Sequence, residues 1–345
     1  MDRSPRVTVA GAGVLGWTTA LALADAGCAV TICDPGGPNA SSVAAGMIAP
    51  VFEAVLDDAA RPHFDLLMAA RDLWPGLAAR AGIALDRSGA MAVGDDAWLD
   101  RIAAAFRGLG APFSDVGRRT MDGLAPGLEP AFQRGLLTRE DWRVDVKPAL
   151  DALRTAALHA GVTHDATFVE ARGGEDVLVV AAGYAPRLAK LAPEMAHLRP
   201  IKGHIVGFGD MAGGGVYVRS PWGYGIRSAD GLTFGATMEV GRDDADPDPA
   251  VFGDLAAGAE NVFRMGQSRA FTAAAGVRAA TPDGLPLVGW SEAEPGVILA
   301  AGARRNGWLV APLVAKIVAA CVTGRDRGPY ADRMDPARFR ASLWD

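Results

Sequence analysis

The segment RVTVAGAGVLGWTTALALADAGCAVTICD, residues 6–34, decides the fold. Its first five residues form an apolar run that is typical of a buried strand. The glycine-rich hexapeptide GAGVLG follows, and in WTTALALADAG apolar residues then recur at helical spacing up to Gly27. A second apolar run ends at Asp34. The order strand, helix, strand predicts a βαβ unit, the first piece of a doubly wound sheet.

The hexapeptide matches the pattern G-x-G-x-x-G, in which each glycine has its own task. Gly11 permits a tight turn, Gly13 lets the backbone approach a pyrophosphate, and Gly16 allows the helix to pack closely on the strand. Val14 and Leu15 then open a helix whose free N–H groups favour an anion. We therefore expect a dinucleotide at this turn.

Asp34 ends the second predicted strand and narrows the choice of dinucleotide. A carboxylate at this place accepts hydrogen bonds from both ribose hydroxyls and repels a 2′-phosphate. It therefore favours FAD or NAD over NADP, and it leaves the choice between FAD and NAD open.

The composition is that of an ordinary globular chain. Its 345 residues, half of them hydrophobic, provide material for about two domains. The net charge of -6 gives no electrostatic footprint for nucleic acid or for an anionic membrane. Cys28, Cys33 and Cys321 form neither a disulfide framework nor a metal-ligand spacing, so no metal is predicted.

Both ends of the chain bear on its location. The N-terminal residues lack the small-residue cleavage site that follows the apolar core of a signal peptide. The apolar run after Gly307 is too short to cross a bilayer and contains Lys316. We expect a cytoplasmic protein without a membrane partner, and a homo-oligomer is compatible with the sequence.

Hydrophobic periodicity divides the chain into segments of different kinds. Helical patterns occupy residues 58–82 and 143–161, and residues 111–130 have the composition of a loop. Short alternating runs separated by Gly, Pro and Asp fill residues 201–239, which predicts antiparallel sheet. Segments of α/β type near both ends thus flank β-rich material.

The stretch ASSVAAGMIAP, residues 40–50, resembles the segment A-S-x-A-A-G-M-x-A-P of the D-amino-acid oxidase superfamily of flavoproteins, above all its glycine oxidase branch. The resemblance implies that Ser41 and Ser42 meet the FAD phosphates and ribitol. It also implies that the backbone of Ala45, Gly46 and Met47 runs along the flavin ring. This stretch favours FAD over NAD.

Six further segments, in order along the chain, carry the same resemblance. They are RVDVKPALDALRTAALHAG, VLVVAAGYAP, RPIKGHIV, IRSADGLTFGATMEV, AGVRAATPDGLPLVG and AAGARRNGWLVAP. The cofactor contacts that the resemblance implies beyond residue 47 are Val169, Ala182, Gly183, Gly302, Arg305, Asn306, Gly307 and Trp308.

The resemblance implies an α/β fold, in which a glutathione-reductase-like Rossmann FAD-binding domain carries an inserted antiparallel-sheet (α+β) substrate domain. We predict that residues 1–84, 140–200 and 272–345 form the discontinuous FAD-binding domain. Residues 85–139 and 201–271 would form the substrate or cap domain. We expect FAD to be held non-covalently, because no His or Cys stands where it could attach to the flavin.

The activity that the resemblance implies is oxidative deamination of a small amino acid or amine. Hydride passes from the α-carbon to flavin N5, and O2 reoxidises the flavin and yields H2O2. Arg278 matches the family residue that binds the substrate carboxylate, although it could instead pair with Asp283. Arg305 would lie near the flavin, with the substrate carboxylate as its counter-charge. Tyr224 and Trp222 are candidates for substrate contact, with packing on the sheet as the alternative.

Four residues depart from the family pattern. Ala303 and Arg304 stand where a His and an aromatic residue are usual, Trp308 replaces a small aliphatic residue, and His204 replaces Gln. These changes put glycine specificity in doubt. Arg304 would either suit a substrate with a second acidic group or pair with a local acid.

The last predicted helix has a position that the sequence fixes closely. Pro312 is tolerated only near a helix start, so we expect the helix to begin between residues 307 and 311. Its N-terminus would point at the flavin pyrimidine and stabilise negative charge there.

Two other hypotheses stay open at this point. The chain could be an FAD-binding partner or maturation flavoprotein that does not turn over free amino acids. It could also be an NAD-dependent dehydrogenase of Rossmann type.

Overall fold

The structure, a computed structural model, describes residues 4–265 and 270–339. The parts of the predicted domains at 1–3, 266–269 and 340–345 lie outside the described residues. Within those ranges, no helix combines the length and the apolar character that crossing a membrane requires.

The strands of the described residues alternate with helices near both ends and follow one another directly in the middle. They are β1 Arg6–Ala10, β2 Ala29–Cys33, β3 Met47–Ile48, β4 Leu85–Asp86, β5 Ala90–Ala92, β6 Ser114–Gly117, β7 Arg134–Thr138, β8 Trp142–Val144, β9 Thr163–Asp165, β10 Val177–Val180, β11 Arg199–Phe208, β12 Tyr217–Ser220, β13 Gly223–Ser228, β14 Gly231–Gly235, β15 Glu239–Val240, β16 Thr272–Ala280, β17 Leu287–Trp290 and β18 Val297–Ala301.

The α-helices lie mainly in the outer thirds of the chain. They are α1 Val14–Asp25, α2 Ala40–Val43, α3 Pro50–Leu56, α4 Phe64–Asp72, α5 Trp74–Ala81, α6 Asp96–Leu109, α7 Arg118–Leu124, α8 Val146–His159, α9 Phe252–Val262, α10 Gly307–Thr323 and α11 Ala331–Met334.

The first sheet has the order β17-β18-β10-β1-β2-β9 and is parallel except for β17. Strands β1 and β2 pair in parallel and are joined by α1, so the predicted βαβ unit is confirmed. Helix α10 packs against α1, and both contribute to one apolar core with the strands. Parallel strands need this cover because both faces of such a sheet are buried.

The second sheet is mainly antiparallel and has the order β15-β11-β14-β13-β12-β5-β7-β6, with β16 paired to β11. Antiparallel sheet in residues 201–239 is therefore confirmed. Strand β16 pairs with β11 from Arg199↔Ala280 to Gly207↔Thr272, so the predicted boundary at residue 272 falls where a strand of the second sheet begins. The division into domains itself stays a prediction.

Two local predictions differ from the structure. The helix expected over 58–82 is split into α4 and α5, because Pro75 in the first turn of α5 cannot continue the preceding helix. The loop expected over 111–130 contains β6 and α7 instead. Arg118 donates hydrogen bonds to the carbonyls of Leu128, Glu129 and Phe132, and these contacts over ten or more residues have no local sequence signal.

Candidate active site

A cavity of about 550 Å³ opens where the strands of the first sheet end. Its wall includes Ala10 of β1, Cys33 of β2, and Ala181 and Gly302 just after β10 and β18. Residues 275–279 of β16 line the opposite side. Ligands of open α/β sheets bind at this edge, outside the carboxyl ends of the strands.

The glycine turn is built for close approach of backbones. Gly11 has a φ of +107°, and a Cβ there would lie 2.6 Å from the Ala181 carbonyl oxygen. A Cβ on Gly16 would overlap the carbonyl of Gly11. Gly13 is the N-cap of α1, and a Cβ on it would meet Ser41 Oγ at 3.0 Å. The turn therefore brings backbone atoms to the cavity wall with no side chain between.

Two side chains order this end of the cavity. Ser41 Oγ accepts a hydrogen bond from Val14 N at 3.0 Å, at the first turn of α1. Both carboxylate oxygens of Asp34 accept backbone hydrogen bonds, from Ala12 N at 2.7 Å and from Gly36 N at 2.7 Å. Asp34 thus stands at the edge of the cavity in a fixed orientation, where a ribose hydroxyl donor can reach it.

The predicted cofactor residues fall into two groups. Those that line the cavity are Gly11, Gly13, Val14, Leu15, Asp34, Ser41, Val169, Ala182, Gly183, Gly302 and Gly307. Those that do not are Gly16, Ser42, Ala45, Gly46, Met47, Arg305, Asn306 and Trp308.

Several members of the second group have structural tasks beside the cavity. Ser42 forms a capping box with Asn39 at the start of α2. Trp308 is 3% exposed, stacks on Trp74, and donates a hydrogen bond from Nε1 to the Ser41 carbonyl at 3.2 Å. Trp308 therefore supports Ser41 from the core instead of facing the cavity.

The cavity wall also contains residues that the sequence analysis did not assign. Pro35, Gly36, Gly37, Pro38 and Asn39 lie on one side. Their turn-rich composition was a usable signal. Phe168 and residues 184–188 form another part of the wall, and no local pattern marks them.

Arg278 of β16 lies at the edge of this cavity over Gly203, whose missing side chain leaves room for the guanidinium group. Its Nη1 donates a hydrogen bond to the Thr237 carbonyl at 3.3 Å. Burial lowers its pKa. In the described part of the chain no carboxylate forms an ion pair with Arg278, and Asp283 pairs with Arg338 at 2.8 Å instead. The alternative that Asp283 holds Arg278 is wrong.

Tyr224 lies beside Arg278, on a strand opposite Gly235. A Cβ on Gly235 would meet the Tyr224 hydroxyl at 3.0 Å, so the glycine makes room for it. Burial raises the pKa of Tyr224, although Arg278, Arg219 and Arg305 act in the other direction. The phenol therefore stays a neutral hydrogen-bonding group. Trp222 is 46% exposed and contacts Phe132 instead.

The counter-charge of Arg305 differs from the substrate carboxylate that the sequence analysis predicted. Its Nη2 and Nε lie 2.7 Å and 3.0 Å from Glu53 Oε2, so a carboxylate of α3 takes the place foreseen for the substrate. Arg304 pairs with Asp57, the residue that follows the last turn of α3, and Asp57 also lies 3.7 Å from Nη2 of Arg305. Of the two readings of Arg304, pairing with a local acid is the one the structure bears out. Neighbouring arginines thus reach two acids at the C-terminal end of α3.

Glu53 has a second partner that the sequence analysis missed. Its Oε1 accepts a hydrogen bond from Nη2 of Arg219 at 3.0 Å. The two arginines hold the pKa of Glu53 at about 2 despite burial, which by itself would raise it. Glu53 is therefore an anion throughout the working range of an enzyme. No spacing rule pairs residues 166 positions apart, so this contact had no sequence signal.

Asp141 is a further buried acid next to this group. It accepts hydrogen bonds from Val51 N at 2.8 Å and Phe52 N at 3.0 Å, at the start of α3. Burial raises its pKa to about 6, which outweighs these hydrogen bonds. Tyr217 donates a hydrogen bond to it at 3.3 Å. Asp141 therefore fixes the N-terminus of the helix that carries Glu53.

His204, the departure from Gln in the sequence, is fully buried among polar partners. Its Nε2 accepts a hydrogen bond from Asp248 N at 3.0 Å, and its Nδ1 lies 2.8 Å from Glu239 Oε1. Both ring nitrogens are thus engaged in holding the segment after β15.

These features define an FAD-dependent enzyme, and comparison with known proteins agrees. The chain matches the DAO family, described as FAD dependent oxidoreductase, over residues 6–321, and it belongs to that family. FAD is therefore its cofactor, and the hypothesis of an NAD-dependent dehydrogenase is wrong.

The relatives confirm the predicted resemblance to the glycine oxidase branch. Glycine oxidase of Pseudomonas aeruginosa is 28% identical over 95% of this chain and 98% of its own. The crystal structure of glycine oxidase from Geobacillus kaustophilus superposes with a TM-score of 0.79 at 24% identity, covering 98% of this chain and 100% of that one. Iminodiacetate oxidase from Chelativorans sp. BNC1 shares the fold with a TM-score of 0.71 at 22% identity over 96% and 99%.

Proposed function

We propose that this chain oxidises the C–N bond of a small amino acid that carries one carboxylate. In this proposal the first sheet and its helices form the FAD-binding domain, and the second sheet carries the substrate. The observation that supports it most directly is Arg278, a partly buried guanidinium group without an acidic partner among the described residues, at the edge of the cavity. Such a group needs an anion, and a fork of N–H donors fits a carboxylate.

The residues present fit FAD. The glycine turn brings bare backbone to the cavity at the start of α1, a helix N-terminus that would favour a pyrophosphate. Asp34 offers a carboxylate to ribose hydroxyls. Bound FAD would supply the two-electron oxidation of the C–N bond, with O2, two electrons and two protons giving H2O2.

The chain itself orients the substrate. Arg278 holds the carboxylate, and the neutral Tyr224 hydroxyl beside it offers a further hydrogen bond. The amine must be neutral when its C–H bond is broken, and it loses its proton to water on entry. The resulting imine hydrolyses to an oxo acid and an amine or ammonia. The N-terminus of α10 begins at Gly307 in the cavity wall and stabilises negative charge that gathers there.

The number of substrate carboxylates follows from the pairing of the arginines. Fold neighbours include oxidases named for a monocarboxylate, glycine, and for a dicarboxylate, iminodiacetate, so the fold does not decide this number. In this chain Arg304 and Arg305 have their own acids, Asp57 and Glu53. Arg278 is therefore the arginine that remains to bind a carboxylate of the substrate, and it binds one.

The test is anaerobic mixing of the purified yellow protein with glycine, sarcosine, and D- and L-amino acids. At least one small monocarboxylic amino acid should bleach the flavin absorbance, and readmitted O2 should restore it with one H2O2 per cycle. If no amine in the panel bleaches the flavin, the oxidase proposal fails. The hypothesis of a partner flavoprotein would then gain support.

A further inference from the structure

Glu53 lies where segments from both sheets meet. One oxygen of its carboxylate accepts a hydrogen bond from Arg219 of β12 at 3.0 Å. The other oxygen accepts one at 2.7 Å from Arg305, which lies in the turn before α10. The Glu53 side chain is 6% exposed and that of Arg219 7%, so water screens this contact little. One acid thus occupies the donors of two guanidinium groups.

These two arginines form an anion site that is already filled. They come from distant parts of the chain and converge on a single carboxylate. Without that carboxylate, the buried Arg219 and the partly buried Arg305 would face one another as two unpaired cations, which is unfavourable. The Nε of Arg219 is also buried without a hydrogen-bond partner among the described residues. The two arginines therefore keep an N–H donor, Nε of Arg219, that Glu53 does not use.

The filled anion site adjoins the place proposed for the substrate carboxylate. Arg278 interacts electrostatically with Glu53 and Arg305, and the Cζ of Arg219 lies 5.6 Å from the centroid of the Tyr224 ring. Tyr224 also interacts electrostatically with Arg278 and Arg305. A substrate held by Arg278 would thus extend toward a guanidinium pair that is blocked by Glu53.

We propose that Glu53 is a specificity-determining residue, an internal carboxylate that closes the Arg219 and Arg305 pair to a second carboxylate of the substrate. The inference rests on the proposed function, because it takes Arg278 as the receptor of the first carboxylate. A second substrate carboxylate would find both arginines occupied and would be repelled by the Glu53 charge. Removing that charge together with the end of the side chain opens the pair as a second anion site.

The experiment uses the holoenzyme and two ligands that contain no amine, so neither of them can be oxidised. Diglycolate carries two carboxylates, and its monoamide has the same shape with one. Binding of each is measured from the perturbation of the flavin absorbance and by calorimetry, so no turnover is needed. The wild-type protein should bind the monoamide at least about tenfold more tightly.

The truncating variant Glu53→Ala, which vacates the space between the two arginines, should shift this preference toward diglycolate by about tenfold or more. Asp283→Asn is the matched control, because it removes an acid that pairs with an arginine, Arg338, outside the Arg219 and Arg305 pair, and it should leave the preference within about twofold. Should Glu53→Ala not fold, Glu53→Asp, whose carboxylate is one methylene too short to reach both arginines, should show a smaller shift of the same sign.

Two results would overturn the role of Glu53. One is a wild-type protein that binds diglycolate as tightly as its monoamide. The other is a folded, FAD-retaining Glu53 variant with an unchanged preference, or an equal shift in Asp283→Asn. Failure of both ligands to perturb the wild-type flavin is a different outcome, which would overturn the proposed function and the inference that rests on it.

Discussion

The two ends of the cavity are built by different means. At the glycine turn, the protein offers backbone N–H groups, and its key positions are those where a side chain is missing, as at Gly11 and Gly13. Around Arg278, the protein offers charged side chains: Arg278 has no acidic partner in the described residues, while Arg305, which stands beside the cavity, pairs with Glu53 and Asp57. One end is thus defined by local backbone geometry and the other by the pairing of distant charges.

This difference explains which predictions succeeded. Gly11, Gly13 and Asp34 line the cavity as expected, because a backbone turn is specified by residues that are adjacent in sequence. The counter-charge foreseen for Arg305 was wrong, because Glu53 lies 252 residues away along the chain. Charge pairing depends on tertiary contacts, and the following predictions test both sides of the comparison.

The largest effect is expected at the glycine turn. In Gly11→Ala the new Cβ meets the Ala181 carbonyl at 2.6 Å and the backbone keeps a φ of +107°, so we expect loss of bound FAD and little folded protein. Gly27→Ala is the matched control, since Gly27 also has a positive φ but faces open space, and it should cost only about 1 kcal/mol. The flavin-to-protein absorbance ratio and denaturant unfolding measure both. Equal effects in the two variants would contradict the close-approach argument.

At the charged end, the largest effect is expected for Arg278. Arg278→Gln should retain FAD and lower kcat/KM by about 10²- to 10³-fold, because the substrate carboxylate loses its only charged receptor. Arg278→Lys keeps the charge without the bidentate fork and should fall between. Steady-state kinetics with the substrate found in the anaerobic panel measures the loss. A change below about threefold in Arg278→Gln would move the carboxylate site elsewhere.

Asp141 predicts a pH dependence of stability. Its pKa is about 6 in the folded protein against 3.8 in the unfolded chain, so the folded state binds its proton more tightly. This contribution to the free energy of unfolding is full below the unfolded pKa and is lost as pH rises through about 6, by ~3 kcal/mol in total.

The check is denaturant unfolding of the holoenzyme and of Asp141→Asn between about pH 4 and pH 7. Wild type should lose stability relative to the variant across this window. Parallel curves for the two proteins would show that Asp141 is not protonated at the lower pH.

The smallest effect is expected for Arg304, which adopts a φ of +49° and pairs with Asp57. Arg304→Ala loses the ion pair and keeps the unfavourable backbone, so it should cost about 1 kcal/mol. Arg304→Gly loses the same pair but relieves the backbone, and it should be nearly neutral. Neither should change KM more than about threefold. A large rise in KM for both would restore Arg304 as a substrate receptor.

The sequence by itself determined the βαβ unit, the glycine turn, Asp34, the antiparallel middle and the start of the last helix at Gly307. Each of these is encoded by residues close together in the chain, through periodicity, turn chemistry or a missing side chain. The tertiary structure alone decided that Trp308 packs in the core and that β16 belongs to the second sheet.

The tertiary structure also decided the charges of the site. Glu53 and Asp57 neutralise the adjacent arginines Arg305 and Arg304, while Asp283 pairs with Arg338 and leaves Arg278 without an acidic partner among the described residues. The physical reason is that a buried charge takes whichever opposite charge the fold brings within a few ångströms. That distance is set by the packing of α3 and the second sheet, and no spacing in the sequence contains it.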